Sequence, residues 1–120
     1  MKEGDIYVMS WGYDQTNNTF FRVKSLRGKT QAVVQEVSLE VENARSYTSM
    51  SGDYKYDPKK YKVDKYCVFI PDNEKGKIIK IQKEYYWEKD PEKQGQEGFR
   101  INGHFCSKYN GETLYESWYA

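Results

Sequence analysis

Apolar and polar residues alternate along the first part of the chain with the two-residue period of a β-strand. Residues 6–11 (IYVMSW) and 19–26 (TFFRVKSL) are rich in aromatic and β-branched side chains, so they are predicted as the first two strands. Residues 33–42 alternate Val and Leu with Ser and Glu. That pattern predicts a third strand with one buried face and one face in water.

The middle of the chain loses this regular pattern. Residues 43–65 are dominated by Ser, Asp, Lys and Tyr and contain Pro58, so they are predicted as a long polar loop. An apolar run at residues 66–70 and renewed strand character at residues 77–82 follow. Residues 84–98 carry five acidic side chains around a proline and are predicted as an exposed excursion.

The C-terminal segment alternates most clearly. Over residues 99–109 apolar side chains recur at odd positions and polar ones at even positions. Asn110-Gly111 is typical of a two-residue hairpin turn, so residues 113–119 are predicted to return as the partner strand. The apolar side chains expected on one face are Phe99, Ile101, Phe105 and Tyr109.

Together these segments give about six or seven short strands joined by long polar loops. We therefore predict an all-β or mostly β fold and a single domain over residues 1–120. Its expected architecture is a small antiparallel β-barrel or a strongly bent sheet, SH3-like by analogy.

The composition indicates a folded chain despite its polar character. Mean hydropathy is -0.99, but 17% of the 120 residues are aromatic, and such side chains bury large areas. The formal net charge is +1, so no global field attracts nucleic acid or membranes. The N-terminal residues lack a signal-peptide pattern and no apolar run is long enough to span a bilayer. A cytoplasmic protein without membrane contact is expected.

The run SWGYDQTN at residues 10–17 follows the first predicted strand and is the most unusual motif of the chain. Its Asp, Thr and Asn side chains suit a loop braced by hydrogen bonds to the backbone. Its rings and its Gln are not explained by turn formation, which favours a recognition surface. Both interpretations stay open, and the motif joins the C-terminal rings as the candidate binding site. The candidate binding residues are Trp11, Tyr13, Asp14, Gln15, Asn17, Trp118 and Tyr119.

The same motifs carry a resemblance to other proteins. The stretches GDI (residues 4–6), SWGYDQTN (10–17), FFRV (20–23) and YESWYA (115–120) resemble a group of small uncharacterised proteins from phages and other mobile elements. The resemblance implies a phage, prophage or plasmid setting in a bacterial host. It implies no catalytic role for any residue.

The chain offers little for catalysis or metal binding. His104 is the only histidine and lies about 7 Å along a strand from Cys106, which is too far for a direct pair. Zinc would need four ligands, and adding Cys67 gives only three. We predict that the protein is not an enzyme and holds no metal or cofactor, and the role of these three side chains stays open. The acids expected to meet water on the third strand are Glu36, Glu40 and Glu42.

Two kinds of macromolecular partner fit what remains. The first is a host or defence-system protein, because Tyr and Trp are typical interface anchors and mobile elements carry short anti-defence inhibitors of the anti-CRISPR type. The alternative is nucleic acid, because tyrosines interleaved with lysines can stack on bases and contact phosphates. The oligomeric state stays open. The alternative nucleic-acid surface consists of Tyr54, Tyr56, Lys59, Lys60, Tyr61, Lys62 and Lys65.

Overall fold

The computed structural model describes residues 1–12, 15–65, 67–83 and 95–117. These residues form strands and loops, which confirms the all-β prediction. Within them no helix has the length and apolar character needed to cross a membrane. The strands are β1 (Ile6–Trp11), β2 (Asn17–Arg27), β3 (Gln31–Thr48), β4 (Ser51–Val63), β5 (Lys77–Lys80), β6 (Gln82–Lys83), β7 (Glu97–Ile101), β8 (His104–Lys108) and β9 (Thr113–Ser117).

The described strands form one antiparallel sheet. Its order is β6-β7-β8-β1-β2-β3-β4-β9, and β5 pairs with β3 outside this path. The sheet is not closed into a barrel, which departs from one of the two predicted architectures. The SH3-like likeness stays a prediction. A single bridge joins Thr16 to Ser117, so the last strand returns to the beginning of β2.

The core lies on both faces of the sheet, as the burial of β1 at four consecutive positions shows. Tyr7 and Met9 belong to a first core, whereas Ile6 and Val8 belong to a second core on the opposite face. β1 therefore has no wet face along this stretch. The first core also contains Phe21, Val23, Ala32, Val34, Ile70, Ile79, Phe99, Ile101 and Cys106, and the second contains Phe20, Val37, Leu39 and Tyr109.

The prediction of a polar loop over residues 43–65 is wrong. β3 and β4 continue through this segment as one long hairpin. Its turn, Ser49-Met50, lacks the Asn-Gly or Asp-Gly pair that marks two-residue turns in a sequence. Pro58 is tolerated because it lies at a bulge where the β3–β4 register shifts and no ladder hydrogen bond is needed from it.

The C-terminal hairpin also differs from the predicted one. The tight turn is Asn102-Gly103, which joins β7 to β8 with φ values of 48° and 83°. Positive φ at both positions is the requirement of a type I′ turn. Asn110-Gly111 does not form the predicted hairpin, because β9 pairs with β4. Arg100 pairs with Phe105, so Phe105 lies on the face opposite to Phe99 and not beside it as predicted.

The remaining segments are partly described. Residues 77–82 are largely in strands, as predicted, whereas residues 67–70 lie outside the strands and place Ile70 in the first core. Of the predicted excursion, residues 84–94 lie outside the described residues. Residues 97–98 belong to β7 and are not part of an excursion.

Candidate functional site

Two motifs from opposite ends of the sequence meet in the structure. The Thr16 amide donates to the carbonyl of Ser117 at 3.1 Å and to its Oγ at 2.9 Å, and the Ser117 amide donates to the Thr16 carbonyl at 3.0 Å. The Asn18 amide group donates to the Tyr115 carbonyl at 3.1 Å and to Glu116 Oε1 at 3.3 Å. The SWGYDQTN run and β9 therefore lie side by side. We call this contact, formed by Thr16 and Asn18 with residues 115–117, the motif junction.

The Trp11 side chain is partly buried and packs against the first core. Its indole Nε1 donates to Thr19 Oγ1 at 2.8 Å, and its ring meets the edge of Phe69 at 5.0 Å between centroids. The next residue, Gly12, has φ of 131°, and a Cβ there would lie 2.4 Å from the Gln15 carbonyl oxygen. Only glycine fits this close turn, so the first half of the motif has a structural role.

The other predicted binding residues are placed only in part. Gln15 and Asn17 are half-buried at the start of β2, and Asn17 pairs with Trp11 at the end of the β1–β2 ladder. The structure thus brings Trp11, Gln15 and Asn17 to the motif junction. The rest of the predicted set lies outside the described residues: Tyr13, Asp14, Trp118 and Tyr119.

The motif junction adjoins a three-stranded arm formed by the outer part of β3, the first part of β4, and β9. Arg45 pairs with Asp53, and Asp53 pairs with Tyr115, so these three side chains share one face of the arm. Neither core covers this face. The outer face, as we call it, consists of Asn43, Arg45, Tyr47, Asp53, Lys55, Thr113 and Tyr115.

Side-chain contacts hold the outer face in one arrangement. The Arg45 guanidinium lies 5.6 Å from the centre of the Tyr47 ring, and the Tyr47 hydroxyl donates to an Asp53 carboxylate oxygen. That hydrogen bond to a carboxylate raises the pKa of Tyr47. Tyr47 and Tyr115 are nevertheless 53% and 49% exposed. A depression of about 190 Å³ is lined by other residues of the arm, Asn43, Ala44, Arg45, Asp53, Lys55 and Thr113. The Tyr47 ring is thus held by its neighbours and still open to solvent, and the Tyr115 ring on the same face is open to solvent as well.

The predicted nucleic-acid residues differ in how far they are exposed. Tyr56 is half-buried, with its ring 4.8 Å from that of Phe20 between centroids, and its hydroxyl donates to Glu116 Oε1 at 2.6 Å. Burial and this hydrogen bond to a carboxylate raise the pKa of Tyr56. Tyr54 stacks next to it at 6.2 Å and is also half-buried. These two rings are therefore less open to solvent than the rest of the set. The exposed members are Lys59, Lys60, Tyr61, Lys62 and Lys65.

Glu36 is buried and does not meet water as predicted. Its backbone is hydrogen-bonded to another buried side chain, that of Asn73. The Glu36 amide donates to Asn73 Oδ1 at 2.7 Å, and Asn73 Nδ2 donates to the Glu36 carbonyl at 2.8 Å and the Asp64 carbonyl at 2.7 Å. In the gap between β4 and β5, the Asn73 side chain thus makes the hydrogen bonds to β3 that the backbone of a strand residue would make. In the sequence it follows Pro71-Asp72 and carries only the signal of a turn.

Glu36, Asp64 and Cys67 place two carboxylate oxygens and a sulfur within 4.8 Å of one another. Such donors suit a metal ion such as zinc, but each already has a hydrogen bond. The Phe69 amide donates to Glu36 at 3.1 Å, Ser38 Oγ donates to Asp64 at 2.7 Å, and the Cys67 thiol donates to the Asp64 carbonyl at 3.4 Å. Burial and the two carboxylates raise the pKa of Cys67 to about 11. The three side chains thus take part in a hydrogen-bond network between β3 and residues 64–69.

The histidine and the second cysteine do not form a catalytic pair. Cys106 is buried in the first core, and burial raises its pKa to about 12. His104 is exposed on the same strand. The residues that the structure describes therefore do not place a deprotonated Cys106 thiol beside His104, as nucleophilic catalysis by this pair would need.

Comparison with known proteins found no matching family model, no matching curated protein and no matching solved structure. The likeness to small phage proteins therefore stays a prediction from the sequence. The geometry of the outer face and the motif junction is what supports a function.

Proposed function

We propose that this chain is a non-catalytic accessory protein of a phage or other mobile element that binds a protein of its bacterial host. The proposed partner is a host or defence-system protein in the cytoplasm, and the proposed contact surface is the outer face of the arm. The observation that carries the proposal is a face that neither core covers and that presents two half-exposed tyrosines, Tyr47 held by Arg45 and Asp53, and Tyr115 on the neighbouring strand.

The chemistry of the outer face supports a protein partner. Tyr and Arg are enriched in protein interfaces and among the residues that dominate binding energy, because they combine large contact area with directional hydrogen bonds. Arg45, Tyr47 and Asp53 are already linked to one another, so less side-chain entropy is lost when a partner binds. The face carries both charge signs, which suits a protein surface better than a polyanion.

The motif junction supports the same location. The bridge between Thr16 and Ser117 places the SWGYDQTN run next to β9, whose residue Tyr115 lies on the outer face. Trp118 and Tyr119 follow β9 directly in the sequence, and we include them in the proposed surface on that ground.

Photo-crosslinking in the bacterial host tests the proposal. A benzophenone amino acid placed at position 47 or 115 should crosslink to one and the same protein. The control is position 78 on β5, which is 51% exposed and thus matched to Tyr47 and Tyr115. Equal crosslinking from position 78, or no protein crosslinked from positions 47 and 115, would overturn the proposal.

A further inference from the structure

The bulge in β4 brings a group of lysines to the surface, away from the outer face of the arm. Leu39 pairs with Tyr61, but the next residue of β3 pairs with Asp57, so residues 58–60 have no partner on β3. The Lys59 amide donates to Asp57 Oδ1 at 2.9 Å, which fixes the bulge and occupies the nearest acid on β4. A bulge of this kind turns its side chains out of the sheet. Lys59, Lys60 and Lys62 are all exposed.

Tyr61 provides an aromatic ring on the same stretch of β4, and it lies on the face opposite to Lys62 because Tyr61 pairs with Leu39 and Lys62 with Ser38. The guanidinium carbon of Arg22 lies 4.7 Å from the centre of the ring, which holds the ring in place by a cation–π contact. The ring is still 41% exposed. A depression of about 340 Å³ is lined by Lys60, Tyr61 and Lys62 from β4 and by Ser38, Leu39 and Glu40 from β3, so two lysines face one acid there.

We propose that this depression binds single-stranded nucleic acid, as a function separate from protein binding by the outer face. An exposed ring that is fixed from one side can stack on a base, and the ammonium groups of lysines along the same stretch of strand can contact the adjoining phosphates. Single strands are the fitting ligand because their bases are accessible for stacking, whereas those of a duplex are paired and stacked on one another. Tyr54 and Tyr56 take no part, since Tyr56 packs against the second core and Tyr54 stacks half-buried beside it.

The charge of the chain sets the expected strength of this binding. The formal net charge is only +1, so attraction comes from the local lysines and not from the whole molecule. If three lysines each contact a phosphate, the logarithm of the association constant should fall with the logarithm of salt concentration with a slope of about -2. Binding should therefore be measurable at low salt and weak at physiological salt.

Fluorescence polarisation with a labelled oligo(dT) of about 12 nucleotides, read across a salt series, tests the proposal. Tyr61→Ala should weaken binding about tenfold or more, whereas Tyr61→Phe, which keeps the ring, should stay within about twofold of the parent. The triple variant Lys59→Gln, Lys60→Gln, Lys62→Gln should lose most binding and most of the salt slope. Circular dichroism confirms that each variant is folded.

A second triple variant is the matched control. Lys75→Gln, Lys77→Gln, Lys80→Gln removes the same charge at and before β5 and should change binding less than about twofold. Equal losses in the two triple variants would show unspecific attraction and would overturn the proposal. So would the absence of binding at low salt, or equal affinity for duplex DNA with no effect of Tyr61→Ala. None of these outcomes bears on crosslinking from positions 47 and 115, so the two proposals fail independently.

Discussion

Replacing Asn73 with alanine should remove one of the most important polar contacts of the fold. The side chain is 2% exposed and makes three hydrogen bonds of 2.7–2.8 Å to the backbone of Glu36 and Asp64. The Glu36 carbonyl keeps a second partner, the Asp64 amide at 3.2 Å, but the Glu36 amide would be left buried without one. Three lost bonds at about 1 kcal/mol each, with one orphaned donor, predict a loss of about 3 kcal/mol of unfolding free energy.

Urea unfolding followed by tryptophan fluorescence measures this loss directly. The expected result is a lower midpoint at an unchanged slope, since the same surface becomes exposed on unfolding. Asn43→Ala is the control, because Asn43 is an exposed residue of β3 and should change stability by less than about 0.5 kcal/mol. A loss below about 1 kcal/mol for Asn73→Ala would refute the view that this side chain completes the sheet between β4 and β5.

Three further predictions concern single side chains. Burial raises the pKa of Glu36. The stability that protonated Glu36 contributes is therefore present below the ordinary glutamate pKa of about 4.3 and is lost as the pH rises. In urea unfolding, Glu36→Gln should gain stability relative to the parent as the pH rises from 4 to 7. The pKa of Cys67 is about 11, against an ordinary value of 9.0, so about a hundredfold smaller fraction of its thiol is ionised at pH 8. Because the thiolate is the reactive form, iodoacetamide should alkylate Cys67 about a hundredfold more slowly than an exposed peptide cysteine, as measured by peptide mass spectrometry. Ser117→Ala removes the 2.9 Å bond from the Thr16 amide and should lower the unfolding free energy by about 1 kcal/mol, since that amide keeps the Ser117 carbonyl.

The first two strands can be predicted from the sequence because their patterns are locally complete. Residues 6–11 and 19–26 combine β-branched and aromatic side chains, and they pair in the structure without a register shift from Ile6 to Trp11. The β3–β4 hairpin could not be predicted in the same way. Its outer part is exposed on β3 and only half-buried on β4, so it lacks the apolar face that makes a strand visible, and its turn has no glycine or asparagine.

The candidate site is less visible in the sequence than the fold. The alternation of Tyr54 and Tyr56 with charged neighbours was a usable signal of a strand, and a strand would have placed the two rings together on one face. The pairing of Thr16 with Ser117 could not be inferred, because contacts between residues 101 positions apart depend on the whole topology. The bracing role of Asn73 is invisible for the same reason.

Isothermal titration calorimetry of the purified chain against the protein that crosslinks to positions 47 and 115 tests the central claim most directly. The account predicts a one-to-one complex whose affinity falls at least tenfold in Tyr115→Ala and stays within about twofold of the parent in Ile78→Ala. Equal affinity of Tyr115→Ala and the parent, with Tyr115→Ala folded normally, would contradict binding through the outer face of the arm.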